Sequence, residues 1–218
     1  MNAAPTEART FIDPVSASRD FIRRSRAWIS LLLLCPVIVL AVFSRTHFAD
    51  DSLAELGVEI AAWAFFLCGA LLRWWATLYI GGRKLNELIV DGPYSICRNP
   101  LYLGSLLMCL SVGIFMQSLL LIGAMLLVSI IYLTITVPVE EERLAVCYGD
   151  EFRDYCRRVP RIIPNFSTYQ SREEITVRLI GLRAELLRMM HWGAIPVLWY
   201  FLEHVRMLSW WPAWFNLP

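Results

Sequence analysis

The chain has 218 residues, 57% of them hydrophobic, and 20 basic against 19 acidic side chains give a formal net charge of +1. A soluble domain carries about 45–50% apolar residues, and near-neutrality removes the basic field on which nucleic-acid binding relies. Six cysteines without a CxxC pair and three histidines without HxxxH or HExxH spacing leave no sequence pattern for a metal site.

The apolar residues are clustered in long runs. Residues 1–26 form a polar leader ending in Arg19, Arg23, Arg24 and Arg26. The first apolar run, Ala27–Phe43, has no cleavage pattern at its end and is expected to stay as a span. The loop Ser44–Glu55 is acidic, and a second span is expected over Leu56–Ile80. A polar segment, Gly81–Pro100, follows with Arg83, Lys84 and Arg98. Leu101–Val137 is almost wholly apolar over 37 residues, too long for one upright helix, which needs roughly 20. Gln117 and Ser118 interrupt it, which predicts a hairpin of Leu101–Met116 and Ser118–Val137.

Beyond it lie a charged stretch, Glu140–Arg161, and a linker, Asn165–Glu174. A C-terminal segment carries Arg178, Arg183 and Arg188 and then Trp192–Phe201. That segment reads as a fifth, short or tilted span of about 20 residues from His191, in preference to an interfacial helix anchored by Trp210, Trp211 and Trp214. The expected fold is therefore all-α, a multi-span integral membrane protein of about five helices. Its parts are a leader (1–26), a core (27–166) and a C-terminal helical extension (167–218). Arginine-rich segments alternate with arginine-poor ones (the Ser44–Glu55 loop has Arg45 alone, against three acids), which is expected to place the N-terminus and both polar motif segments on the cytoplasmic side.

The first motif runs from Asn86 to Gly104. Gly92-Pro93 is a turn signal, and Pro100 fixes its own φ and turns Asn99 away from helix, so a helix is expected to start there. Free N–H groups at such a start beside Arg98 suit a carboxylate or phosphate. Equally, a membrane-boundary loop would place Arg98 at the interface, Tyr102 in an aromatic belt and Gly104 at a close helix crossing. The second motif holds Glu140, Glu141, Glu142 and Leu144, then Tyr148-Gly149, Phe152, Tyr155 and Pro164. Acids just after an apolar helix mark a candidate site. Glu142 and Glu151 read as solvated.

These residues resemble the isoprenylcysteine carboxyl methyltransferase family, whose pattern is H-x-L-V, G-x-Y, R-H-P-x-Y-x-G, E-E-x-x-L, F/Y-G-x-x-Y/F-x-x-Y and a closing proline. Leu88, Gly92, Tyr94, Arg98, Pro100, Tyr102, Gly104, Glu140, Glu141, Leu144, Tyr148, Gly149, Phe152, Tyr155 and Pro164 stand in register, over roughly Tyr79–Phe166. The resemblance implies a membrane enzyme that binds S-adenosylmethionine in a cytosol-facing pocket. By position, the cofactor residues it implies are Tyr79, Asn86, Glu87, Leu88, Ile89, Tyr94, Asn99, Pro100, Leu101, Tyr102 and Glu140, with Arg98 and Glu140 as the catalytic pair.

Three positions depart from the family: Asn86 replaces a histidine, Asn99 replaces the histidine of R-H-P, and Thr136 stands at the substrate-binding arginine. Methyl transfer is an in-line displacement, in which the protein aligns the partners and excludes water. The lack of a placed histidine base favours an acceptor already nucleophilic at neutral pH, such as a carboxylate. The expected acceptor is lipophilic or lipidated and enters from the bilayer. A sterol-reductase-like enzyme using NADPH and a non-catalytic membrane protein on the same scaffold are the competing classes.

Overall fold

The computed structural model of the protein describes residues 32, 35–40, 53–80, 87–175, 177 and 179–206. The expected leader, most of the first span, Asn86 and Trp210, Trp211 and Trp214 lie outside the described residues. Among those described, the chain is helical and has no strand. Helix α1 spans Leu53–Ile80, α2 Pro93–Ile96, α3 Pro100–Phe115 and α4 Leu119–Ile131. A π-helical stretch, Tyr132–Thr136, joins α4 to α5, Val137–Arg158. A 3-10 turn, Phe166–Thr168, precedes α6, Leu179–Arg206.

Among the described residues, two helices are long and apolar enough to cross a membrane: α1, with 28 residues, and the continuous α4–α5 rod, Leu119–Arg158, with 40. A third, α3, is apolar but shorter. Only 17% of each apolar window is buried within the protein. The core helix of a water-soluble protein is mostly buried; here Leu56, Ile60, Leu67 and Leu71 of α1 and Leu119, Leu127 and Ile130 of α4 face outward. Such continuous apolar surface suits hydrocarbon rather than water. At 1.5 Å per residue α1 is about 42 Å long, enough for a core of about 30 Å.

The expected hairpin is present, because the chain has a turn where its apolar run is interrupted. Helix α3 stops at Phe115, Gln117 takes a positive φ of 48°, and the Ser118 Oγ accepts the Leu121 N–H at 3.2 Å to cap α4. The π-helical stretch sits directly before Pro138. Proline has no N–H for the Thr134 carbonyl and its ring would strike it, so the rod takes a wider turn there. Farther on, Gly149 at φ 55°, ψ −122° kinks α5 and redirects its last turns. Nothing lies within 4 Å of a Cβ built there, so glycine is needed for conformation, not for space.

Helices α1 and α3 cross at Gly69 and Gly104. A Cβ on Gly69 would sit 2.6 Å from the Gly104 carbonyl oxygen, and one on Gly104 would sit 2.5 Å from Arg73 Cγ. The crossing is extended by an apolar cluster of Ala62, Val112, Phe115, Leu121 and Trp199. Helix α6 begins at Leu179, twelve residues before the expected start at His191. The earlier turns are held in place by a polar contact that compensates their charge, the Arg73–Glu185 ion pair at 2.7 Å. Farther along, the Tyr200 hydroxyl donates to Glu59 at 2.9 Å. The two contacts run in opposite order along the helices, so α6 is antiparallel to α1.

Gly69→Ala is expected to lower stability by about 1–3 kcal/mol, because backbone stands where the methyl must go. Gly123→Ala, with open space around it, is expected to be neutral or slightly stabilising. Thermal unfolding of the two variants in detergent checks the contrast.

Candidate functional site

The two polar motifs meet at one end of the bundle and enclose a cavity of about 360 Å³, a size ordinary for a small-molecule site. Its wall is built from the end of α1 (Ile80), the segment Glu87–Ile89, Tyr94, the start of α3 (Arg98–Tyr102) and α5 from Glu140 to Tyr155. Of the residues expected from sequence, Glu87, Leu88, Ile89, Tyr94, Arg98, Asn99, Pro100, Leu101, Tyr102 and Glu140 all line it. Two others lie elsewhere. Tyr79 is buried behind the wall, with its ring 2.3 Å from where a Gly92 Cβ would be and its hydroxyl 2.9 Å from Ser171 Oγ. Thr136 belongs to the π-helical stretch and does not border the cavity.

Gly92 opens the first motif at φ 59°. Its conformation and the Tyr79 ring packed against it both demand glycine. The short α2 that follows buries Tyr94 completely enough that burial, helped by Tyr155 and Glu140, holds the phenol protonated well above its ordinary range. The Tyr94 hydroxyl has no hydrogen-bond partner among the described residues. Its carbonyl accepts the Tyr155 hydroxyl at 2.7 Å, which fastens the end of α5 beneath it. Burial likewise pushes the Cys97 thiol up to about 11, so it is neutral and unreactive at neutral pH.

Helix α3 starts at Pro100, as its sequence requires. The N–H groups of Tyr102 and Leu103 do not stay free, however: both donate to the Asn99 carbonyl at 3.1 Å, because the first turn closes tightly on that residue. The Tyr102 hydroxyl donates to Glu140 Oε2 at 3.1 Å, joining the two motifs across the cavity.

A second link was hidden in the run of three acids. Glu141 is buried, and its carboxylate is shared by Arg161 Nη2 at 2.6 Å, Arg98 Nη1 at 3.4 Å and Asn99 Nδ2 at 3.4 Å. Arg98 also donates to Cys156 Sγ at 2.6 Å, while its buried Nε has no partner among the described residues. Glu142, one residue on, is exposed. Helical phase turns Glu142 away: Glu140, Arg143, Leu144 and Cys147, at spacings of three and four, share the cavity face, and Glu141 borders it as well. Leu88, Phe152, Tyr155 and Val159 pack as an apolar floor.

The segment Asn165–Glu174, expected as a linker, is stitched to the first motif. Gly92 N donates to Gln170 O at 2.7 Å, Gln170 N to Ser95 Oγ at 2.9 Å and Thr168 Oγ1 to Ser95 O at 2.7 Å. Arg172 pairs with Asp91 at 2.5 Å. The Gly92–Ser95 turn exposes polar backbone that needs partners once buried, and this strand of chain supplies them. The Arg73–Glu185 pair also escaped sequence reading. Its signal was an arginine inside an apolar span, a position that is costly unless it is paired.

Comparison with known proteins places this arrangement. A family model described as phospholipid methyltransferase matches residues 56–151, a stretch that contains most of α1, the hairpin and the Glu140–Leu144 motif. The chain is 30% identical over 176 residues to the cobalt-zinc-cadmium resistance protein CzcN of Cupriavidus metallidurans, covering 76% of this chain and 77% of that one. It is 28% identical over 201 residues to the nickel-cobalt-cadmium resistance protein NccN of Alcaligenes xylosoxydans xylosoxydans, covering 91% of this chain and 92% of that one. No solved structure matches the chain at a significant level.

Glu141→Ala strands Arg98, whose side chain is only 14% exposed. Breaking a buried pair costs about 3–5 kcal/mol, and the half-exposed Arg161 moderates this, so a loss of about 2–3 kcal/mol is expected. Glu142→Ala is expected to change stability by less than about 0.5 kcal/mol. Denaturant unfolding in mixed micelles measures both.

Proposed function

The chain belongs to the phospholipid methyltransferase family, the isoprenylcysteine carboxyl methyltransferase-like group, and from that premise we propose that it transfers a methyl group from S-adenosylmethionine to a lipophilic acceptor. The observation that carries this reading is the cavity itself, in which the Tyr102–Glu140 hydrogen bond closes the two family motifs around one space.

The residues present fit that cofactor. A carboxylate such as Glu140 accepts hydrogen bonds from ribose hydroxyls or an amino group, and tyrosines suit adenine or a sulfonium. The Tyr94 hydroxyl and Arg98 Nε are buried polar atoms of cavity-lining residues without partners among those described. Such atoms are costly unless a ligand satisfies them. Glu140, Tyr102 and Tyr94 would hold the hydroxyl and amino groups, and Arg98 the carboxylate. When bound, S-adenosylmethionine supplies an electrophilic methyl on sulfur. The acceptor's lone pair forms the new bond to that carbon as the sulfur–carbon bond breaks, leaving S-adenosylhomocysteine. The protein aligns the two and keeps water out.

Along α5 the wall continues with Arg143, Leu144, Cys147, Tyr148 and Phe152, which on this reading would face the acceptor. Arg143 lies one turn beyond Glu140 on the same face and pairs with no carboxylate among the described residues. It offers a positive charge that Thr136, outside the cavity, does not. This supports an acceptor with an anionic head, a carboxylate first, on an apolar body that reaches the site from the bilayer. Such a group is already nucleophilic and needs no general base. The names of both relatives concern resistance to metals; on this reading a protein of this kind serves resistance by methylating a membrane-resident molecule.

Titration calorimetry with S-adenosylhomocysteine on detergent-purified protein tests the cofactor assignment. Saturable binding is expected, weakened by about 10- to 100-fold in Glu140→Ala, the loss of a charge-assisted contact of about 1.5–3 kcal/mol. No saturable binding, or thermal stabilisation by NADPH in its place, overturns it. Arg143→Gln is expected to raise the KM for an anionic acceptor about tenfold, with S-adenosylhomocysteine affinity unchanged.

A further inference from the structure

Helix α6 lies beyond the stretch matched by the family model, yet it reaches the cavity wall through one relay. Glu185 is 2% exposed, and its two carboxylate oxygens accept from one edge of the Arg73 guanidinium, Nε at 2.7 Å and Nη2 at 3.1 Å. Arg188 also donates to it. The remaining terminal nitrogen of Arg73, Nη1, crosses to α3 and donates to the Leu101 carbonyl at 3.1 Å and to Ser105 Oγ at 2.5 Å. The Ser105 hydroxyl returns to the Leu101 carbonyl at 2.9 Å. Gly104 leaves the room for Arg73 to pass, since a Cβ there would sit 2.5 Å from Arg73 Cγ. Leu101 belongs to the turn that forms the cavity wall between Asn99 and Tyr102.

A buried ion pair is a poor device for stability. Well-packed apolar residues of similar volume usually do as well or better, and the pair has to offset the desolvation of both charges. What apolar residues cannot do is donate hydrogen bonds in fixed directions. Arg73 donates in two directions at once, and Glu185 fixes its plane through a two-point contact of the kind that orients a guanidinium. Without Glu185, the Arg73 side chain would keep its charge and lose its orientation.

We propose that Glu185 is a positioning residue: through Arg73 it holds the first turn of α3 in register, so the C-terminal helix is a working part of the cavity. This rests on the cofactor reading above, and its test separates the two. The full-length protein is compared with Glu185→Gln and with the double variant Arg73→Leu/Glu185→Leu, in which an apolar pair replaces the charges. S-adenosylhomocysteine affinity is measured by calorimetry, melting temperature by thermal unfolding, and amide protection of Leu101–Ser105 by hydrogen exchange. The expected result for the double variant is a melting temperature close to that of the parent, affinity reduced about tenfold or more, and faster exchange confined to that turn. Glu185→Asp is expected to recover part of the affinity. Parent-like affinity together with parent-like protection in the double variant overturns the proposal. If the parent binds no S-adenosylhomocysteine, the cofactor reading fails, and hydrogen exchange alone decides the positioning role. If the double variant does not fold, Glu185→Gln supplies the same comparison: unchanged protection of the α3 turn overturns the proposal, and selective loss supports it.

Discussion

The site depends on one buried carboxylate. A buried carboxylate is costly without partners, and Arg98, Asn99 and Arg161 supply them to Glu141 from two other parts of the chain. That requirement draws the start of α3 and the segment after α5 onto the same face of α5. The cavity is the space left between them, and Tyr102 and Glu140 bridge it. The kink at Gly149 lets Phe152 and Tyr155 turn under the first motif, and the Tyr155–Tyr94 hydrogen bond fixes the result.

Apolar surroundings impose the same rule on the rest of the molecule. Along α1 and α4 the outward residues are leucine, isoleucine, tryptophan and phenylalanine, while the packed seam uses glycine and alanine to bring the helices close. Charge in the described helices is therefore paired or gathered at one end. The departures, Arg73 with Glu185 and Glu59 with Tyr200, are satisfied contacts between α1 and α6. They account for a C-terminal helix that begins well before its most apolar stretch.

Much of this was legible in the sequence because glycine and proline leave few choices. Gly92-Pro93 and Pro100 mark the turn and the helix start where the structure has them. Gln117-Ser118 marked the hairpin because a polar pair interrupts an apolar run. The resemblance to isoprenylcysteine carboxyl methyltransferases is borne out by the family match. What stayed hidden was helical phase and long-range pairing. Three consecutive glutamates look alike in sequence, yet Glu140 and Glu141 border the cavity, Glu141 alone meets two arginines, and Glu142 faces outward. Arg73 and Glu185 are 112 residues apart, and no local pattern announces that they meet. The segment after Pro164 is polar and lacks periodicity, so its role as partner to the Gly92–Ser95 backbone appears only in three dimensions.

The central claim is chemical: this cavity moves a methyl group onto a molecule of the membrane. Membranes containing the full-length chain, incubated with S-adenosylmethionine labelled in its methyl group, test it most directly. The predicted result is label in a lipophilic product that is released by mild base, as an ester of a carboxylate acceptor would be, and is absent when Glu140 is replaced by alanine. Label that never exceeds that of the Glu140→Ala membranes, across lipid and protein fractions alike, would contradict methyl transfer by this site.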